Sequence, residues 1–150
     1  MGIKSIAENR RAYHEYFILE KFEAGMVLMG TEIKSIRKGA VQFKDAYVSF
    51  QGGEAILKEM YIAPYEEGNR FNHEETRERK LLLHRSEIQK LEKKVKLKGF
   101  TIVPLTLYLK DGRAKLEIGL AKGKELHDKR ETDKERTAQR EIEKARKQHR

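Results

Sequence analysis

The 150-residue sequence contains no cysteine. That excludes a disulfide framework, a cysteine nucleophile and cysteine-based zinc sites, and it fits a reducing compartment. Long hydrophobic runs are also missing. No stretch approaches the roughly 20 apolar residues of a membrane-spanning helix. The opening MGIKSIAENRR lacks the apolar run of a signal peptide. The expectation is a soluble, cytoplasmic protein with no membrane partner. Catalytic patterns are scarce too. GLAKGK at Gly119–Lys124 is one residue short of a phosphate loop, and Glu125 stands where a magnesium-binding hydroxyl belongs. No two of His14, His73, His84, His127 and His149 have the i,i+4 spacing of a helical metal site. Ser5, Ser35, Ser49 and Ser86 lie in no nucleophile elbow. We therefore expect no metal, no cofactor and no catalytic residue, and read the protein as not an enzyme. An RNA-processing enzyme would have to draw on carboxylates such as Glu23 and Asp45.

What the chain has in abundance is charge. The net charge is +9. Residues 122–150 hold 11 Lys/Arg against 7 Asp/Glu, a net of +4, and the other +5 lies on residues 1–121. Both parts are basic, which favours a polyanionic partner. Apolar residues cluster before Lys122, enough for one small core. The expected organisation is a folded unit over 1–121 and a basic tail over 122–150.

Within the first part, alternation points to strands. YHEYFIL at 13–19 reads as a strand that continues or restarts through Met26, with Gly25 marking a bulge or a barrel corner. TEIKSIR reads as a short helix with Ile33 and Ile36 inward, Lys34 and Arg37 outward, and Gly39 as its stop. Residues 45–50 and 54–60 flank Gly52-Gly53 as a hairpin. A polar loop follows, from Pro64 to Lys80. Ser86 with Gln89 has the form of a capping box and opens a helix over 86–97. The second hairpin turns at Asp111-Gly112; Val103, Leu105, Leu107 and Leu109 share one face, and Ala114, Leu116, Ile118 and Leu120 share another. Pro104 cannot donate to a ladder and marks an edge or a bulge. The fold class expected is mainly β with helices: an OB-like closed antiparallel barrel with rim helices.

The tail, KGKELHDKRETDKERTAQREIEKARKQHR, is rich in helix formers, with opposite charges three or four apart, and has almost no apolar face. Such a helix is marginal alone in water, so the segment is expected to be disordered when free and to order on a surface. Asn9-Arg10-Arg11 before an aromatic strand, and the basic run Arg77, Arg79 and Lys80, add phosphate-binding and stacking groups. From the residues alone the reading is an RNA-binding barrel with a basic tail. Core packing accounts for about half of Tyr13, Tyr16 and Phe17.

Particular strings go further. IAENRRAYHEYFILEKFEAGMVLMGTEIKSIRKG, KDAYVSF, NHEETRERKLLLHRSEI, GFTIVPLTLYLKDGRAKLEIGLAKGK and HDKRETDKER occur in order from about Ile6 to Arg136. They resemble the SsrA-binding protein (small protein B) family of bacteria. The resemblance implies an OB-like barrel that binds the tRNA-like domain of transfer-messenger RNA, takes the place of its missing anticodon arm, and delivers it to stalled ribosomes. That process, trans-translation, rescues the ribosome and tags the incomplete peptide for proteolysis. The family's RNA face maps onto Asn9, Arg10, Arg11, His14, Glu23, Gly25, Lys34 and the block Arg79, Lys80, Leu81 and Leu82. Leu82 would be an apolar contact or a core residue.

The tail resembles the family's ribosome probe, which becomes helical in the empty message channel of the small subunit beyond the decoding centre. Gly123, His127, Asp128, Lys129, Arg130, Lys134 and Arg136 match it. The partners implied are transfer-messenger RNA, the ribosome, elongation factor Tu, and alanyl-tRNA synthetase indirectly through the RNA. Gln42-Phe43, Ala46, Glu75 and Glu125 depart from the family pattern. A general RNA-binding or ribosome-associated OB protein is the alternative reading.

Overall fold

The computed structural model describes residues 2–97 and 99–125, and at 68–70 the backbone alone. In chain order the elements are β1 (Ile3–Glu8), α1 (Arg10–Glu15), β2 (Tyr16–Met26), α2 (Gly30–Arg37), β3 (Val41–Gln42), β4 (Tyr47–Gln51) and β5 (Glu54–Lys58). They continue with β6 (Tyr61–Ile62), a 3-10 helix (Glu66–Phe71), β7 (Arg79–Leu82), α3 (Arg85–Val95), β8 (Phe100–Lys110) and β9 (Arg113–Gly123). Seven strands form one antiparallel sheet in the order β1-β8-β9-β2-β7-β5-β4, and β3 pairs with β6. The sheet curls until β4 lies against β8, a seam that carries no ladder among the described residues. This is the mainly β architecture with helices that the alternation predicts.

The turns follow from backbone chemistry. Gly52 and Gly53 have φ of 58° and 79°, and Asp111 and Gly112 have 52° and 79°. Positive φ at both central residues makes a hairpin turn whose twist matches its strands. Inside the sheet, Ala24, Leu57, Leu81, Ile102, Leu107, Leu116 and Ile118 form the main core, closed by Ile36 from α2 and Leu91 from α3. A second cluster, Ala12, Val103, Leu105 and Ala121, lies under α1, with Tyr13, Tyr16 and Ile18 packed on it.

The existence of two clusters corrects the expectation for β8. Val103 and Leu105 do not share a face with Leu107 and Leu109. A register shift between Pro104 and Thr106 makes Leu105 an extra residue, and one extra residue turns every later side chain over. Pro104 therefore sits at a bulge, in a strand flanked on both sides. Gly119 is required by that packing: a Cβ there would stand 2.8 Å from Leu105 Cδ1 and 3.0 Å from Ile18 Cγ2. It lies within β9, so GLAKGK continues a strand and opens no phosphate-binding turn.

Three further expectations are corrected. Residues 13–15 are helical, because α1 precedes β2; β1 and a strand through Arg79–Lys80 add to the strands that the alternation predicts. Helix α3 is capped two residues earlier than the Ser86/Gln89 reading: Glu87 Oε1 accepts from the His84 N–H at 3.0 Å. Finally, β9 runs through Lys122 and Gly123, past the boundary drawn after Ala121. Lys124 then ties the end of β9 to α1, its N–H donating to Glu15 O at 2.9 Å and its Nζ to Tyr13 O at 3.2 Å. His127, Asp128, Lys129, Arg130, Lys134 and Arg136 lie outside the described residues, as does the expected helix of the tail.

Candidate nucleic-acid interface

The residues expected to touch RNA fall into groups at the two ends of β2. Nine steps along a strand, from Tyr16 to Gly25, cover about 30 Å. At one end is α1. Asn9 opens it: its Oδ1 accepts from the Ala12 N–H at 3.2 Å, while its Nδ2 donates to Pro104 O at 2.8 Å. The same residue's N–H donates to Leu105 O at 2.8 Å. Asn9 is buried and bonded through its Oδ1, Nδ2 and N–H, and its role in the fold is to cap α1 and fix the helix onto the β8 bulge. Arg10 and Arg11 are exposed and His14 is half-buried. Arg11 is held between Glu15 Oε1 at 2.9 Å and Asp45 Oδ1 at 3.0 Å. Exposed pairs of this kind contribute little, so a phosphate can compete for the guanidinium. Beside it a cleft of about 230 Å³ opens between Arg11, Tyr16, Lys44, Asp45 and Tyr47.

At the other end are Glu23, Gly25, Lys80 and Leu82. Strand β7 alternates strictly: Arg79 and Leu81 are buried, Lys80 and Leu82 exposed. Leu82 is 54% exposed, which removes its core-packing role and leaves it free for contact; Leu81 fills the core instead. Gly25 pairs with Leu82 on one side and Lys115 on the other. It is the point where β2 passes from β9 to β7, as expected of a corner. The Glu23 carboxylate accepts from the Tyr108 hydroxyl and lies 3.7 Å from Lys110 Nζ. The Tyr108 hydroxyl, with Lys110 and Lys115 behind it, holds Glu23 below the ordinary carboxylate range against the opposing effect of burial. Burial, then Glu23, push the Tyr108 phenol above its ordinary range, so it stays protonated and donates. Glu23 is thus a fixed acceptor among cations. Asp45, beside Arg11, belongs to the other end, so the two carboxylates have separate partners.

Lys34 is exposed on α2, with its Nζ 5.3 Å from the centre of the Tyr65 ring, which Lys38 also approaches at 4.8 Å. The loop beneath is pinned by His73, a buried hydrogen-bonding histidine. Its Nε2 faces Ile62 O at 2.9 Å and its Nδ1 faces Thr31 Oγ1 at 2.8 Å. A carbonyl only accepts, so Nε2 carries the proton, and in the neutral ring Nδ1 accepts from the threonine.

Arg79, the inward neighbour of Lys80, is turned into the protein. Its side chain is fully buried, with Nε donating to Glu32 Oε2 at 2.6 Å, Nη1 to Met60 O and Nη2 to Glu75 O at 3.0 Å. Arg77 joins from the surface, Nη2 donating to Glu32 Oε1 at 2.5 Å. With no exposed side-chain surface, Arg79 is the cation that balances a buried carboxylate. Burial alone would push Glu32 up, but Arg77, the Met29 N–H and Arg79 outweigh it and hold the carboxyl below its ordinary range. A guanidinium stays charged even where burial opposes it, as burial does at Arg79.

A pH dependence follows from these directions. Glu32 has a lowered folded pKa, so its contribution is fully present above the unfolded value of about 4.3 and fades as the pH falls through the folded one. The expected result is a urea midpoint that drops between about pH 5 and pH 3. In Glu32→Gln the midpoint is lower at pH 7 and the acid dependence shallower. Equal slopes for the two proteins would remove Glu32 as a source of acid sensitivity.

With this geometry in view, comparison with known proteins decides the family. The pattern defining the SmpB protein family matches residues 6–148. The chain belongs to the SmpB protein family. Among relatives in that family, the SsrA-binding protein of Geobacillus kaustophilus is 58% identical over 142 residues, 95% of this chain and 92% of the relative. That of Carboxydothermus hydrogenoformans is 58% identical over 95% of each chain. That of Syntrophotalea carbinolica is 56% identical over 97% of each. A chain from a solved structure of tmRNA-SmpB, described as a journey to the center of the bacterial ribosome, superposes with a TM-score of 0.69. It is 50% identical and covers 80% of this chain and 85% of that one.

Sequence reasoning missed members of this SmpB surface that alternation marks plainly. Tyr108, Lys110 and Lys115 are the polar positions of the second hairpin, between the apolar ones used to place the core. Glu32 gives no such signal, because a carboxylate in a short helix reads as solvent-facing. No helix among the described residues is long and apolar enough to cross a membrane.

Proposed function

We propose that the protein binds the tRNA-like domain of transfer-messenger RNA and delivers it to stalled ribosomes for trans-translation. The observation that carries this is 58% identity along 95% of the chain to a protein named SsrA-binding protein. The surface fits the task. Arg10 and Arg11 at one end of β2, and Lys80, Lys110 and Lys115 at the other, supply attraction for a phosphate backbone. Glu23 accepts from ribose or base donors, and Leu82 packs on a nucleotide. Asn9 acts through the placement of α1. The tail, residues 126–150 with Lys129, Arg130, Lys134 and Arg136, enters the empty message channel, and the decoding centre meets His127. The protein works in the cytoplasm as a non-enzymatic adaptor. Elongation factor Tu accompanies the complex and hydrolyses the GTP, and alanyl-tRNA synthetase is a partner indirectly, through the RNA.

The test is competition between the tRNA-like domain and elongator tRNA at near-physiological salt. The tRNA-like domain should be strongly preferred, and Glu23→Gln should weaken its binding about tenfold, the loss typical of a hydrogen bond to a charged acceptor. Equal binding of both RNAs would mean that charge alone is recognised.

A further inference from the structure

We infer that the RNA surface extends past Glu23 across the outer face of β9, β8 and β1, where Tyr108, Lys115 and a groove beside Ile3 form a subsite for one unstacked nucleotide. This rests on the reading of the Glu23–Leu82 face as an RNA surface. The strand registers carry it. Ser5 pairs with Tyr108, Tyr108 with Lys115, Lys115 with Gly25, and Gly25 with Leu82. These residues stand in one row across β1, β8, β9, β2 and β7. Their chain neighbours Leu107, Leu116, Ala24 and Leu81 are all buried, so the row faces outward. Strands about 4.8 Å apart make the row about 19 Å long. The adjacent row is Thr106, Glu117 and Glu23.

Gly25 brings no side chain to this row. A Cβ at Gly25 would lie 3.3 Å from Leu82 Cβ and 3.7 Å from Lys115 Nζ. Leu82 and the Lys115 ammonium therefore close over the bare backbone of the glycine, an apolar side chain from one side and a cation from the other. Beyond Lys115, a groove of about 280 Å³ is lined by Ile3, Ser5, Thr106, Tyr108 and Glu117. Ile3 is 66% exposed there. An exposed isoleucine facing a tyrosine ring gives a base two apolar walls, and every base has a face to stack. The ring is already positioned, because its hydroxyl is bonded to Glu23. A platform fixed in advance loses little freedom when a base lands on it.

The charges choose the ligand. Lys110 and Lys115, paired with Ile3 and Tyr108, stand beside the groove and suit phosphate, while Glu117 in its lining and Glu23 next to it are acceptors that suit a ribose hydroxyl or a base amino group. Phosphate donors, a stacking ring and a hydroxyl acceptor within one patch match a nucleotide of RNA.

The test is binding of the full-length protein to the tRNA-like domain, measured across a range of salt concentrations. Lys115→Ala should weaken binding and reduce the magnitude of the salt slope by about 0.7–0.9, the loss of one phosphate contact. Tyr108→Leu should weaken binding about tenfold at every salt concentration, and Tyr108→Phe less, since it keeps the ring. Glu23→Gln and Leu82→Ala run in parallel. If these two weaken binding while Lys115→Ala and Tyr108→Leu keep the parental affinity and slope, the surface ends at Glu23 and the subsite is wrong. If all four bind as the parent does, the Glu23–Leu82 face itself is wrong. Should Tyr108→Leu unfold, Lys115→Ala, a surface change, decides. A defect in ribosome binding with unchanged RNA affinity also overturns the proposal.

Discussion

Arg79→Ala should lower the stability of the folded protein by about 3–5 kcal/mol, the usual cost of leaving one member of a buried ion pair alone. Domains of this size are stable by only about 5–15 kcal/mol, so the loss is a large fraction of the total and the denaturant midpoint should fall steeply. The mechanism is specific. Glu32 is fully buried and keeps its charge because Arg79, Arg77 and the Met29 N–H compensate it. Without Arg79, the carboxylate loses its buried partner, and the Met60 and Glu75 carbonyls lose their donor. The neighbouring Lys80→Ala breaks only an exposed pair with Glu54, 3.0 Å long, and should cost less than about 1 kcal/mol. Denaturant unfolding of the two variants checks this. RNA binding separates them in the opposite sense: at low temperature, where both are folded, Lys80→Ala weakens binding and Arg79→Ala does not. An Arg79→Ala protein that is folded, stable and defective in RNA binding would return Arg79 to the contact surface.

The contrast between these two adjacent basic residues shows what a sequence can and cannot convey. Both lie in a run, EETRERK, that is polar throughout and reads as a loop. Whether a strand passes through it depends on partners, β5 and β2, that are distant in sequence. The inward cation is explained only by Glu32, 47 residues away. Asn9 is similar, since half of its role is a bond to Pro104, 95 residues distant. Its local half, an asparagine before a short helix, was legible in principle. It is obscured because the six-residue α1 is too short to show a helical period and contains Tyr13, with Tyr16 just after it, residues that favour strand. By contrast, both hairpins and α2 rest on information within a dozen residues: alternation, Gly-Gly or Asp-Gly turns, and a glycine stop at Gly39 with φ of 73°. Faces were legible up to the first bulge and inverted beyond it, as Val103 and Leu107 show. Of the candidate surface, the exposed members Arg10, Arg11, Glu23, Lys80 and Leu82 stand where a ligand can reach them. The buried members Asn9 and Arg79 hold that surface in shape.

Removing the tail should separate RNA binding from ribosome rescue, and the structure moves the place to cut. A truncation after Ala121 would remove Lys122 and Gly123, which pair with Phe17 and Tyr16 at the start of β2. It would also remove Lys124, whose bonds to Tyr13 O and Glu15 O close the C-terminal end of α1. A lysine at that position satisfies carbonyls the helix leaves unpaired. The Ala121 cut is therefore expected to loosen α1, with Arg10 and Arg11 on it, and to weaken RNA binding modestly through the fold. A cut after Glu125 spares all of these bonds. It should leave affinity for the isolated tRNA-like domain within about twofold of the full chain, apart from the loss of long-range attraction that salt suppresses. Tagging on stalled ribosomes should nevertheless be abolished, because the segment that enters the message channel is gone. Two measurements check this, RNA affinity at near-physiological salt and peptide tagging on ribosomes stalled without a codon. If the Glu125 cut binds RNA normally and still tags, the tail is no probe of the channel. If it loses RNA binding as fully as it loses tagging, the division of labour between the barrel and residues 126–150 is wrong.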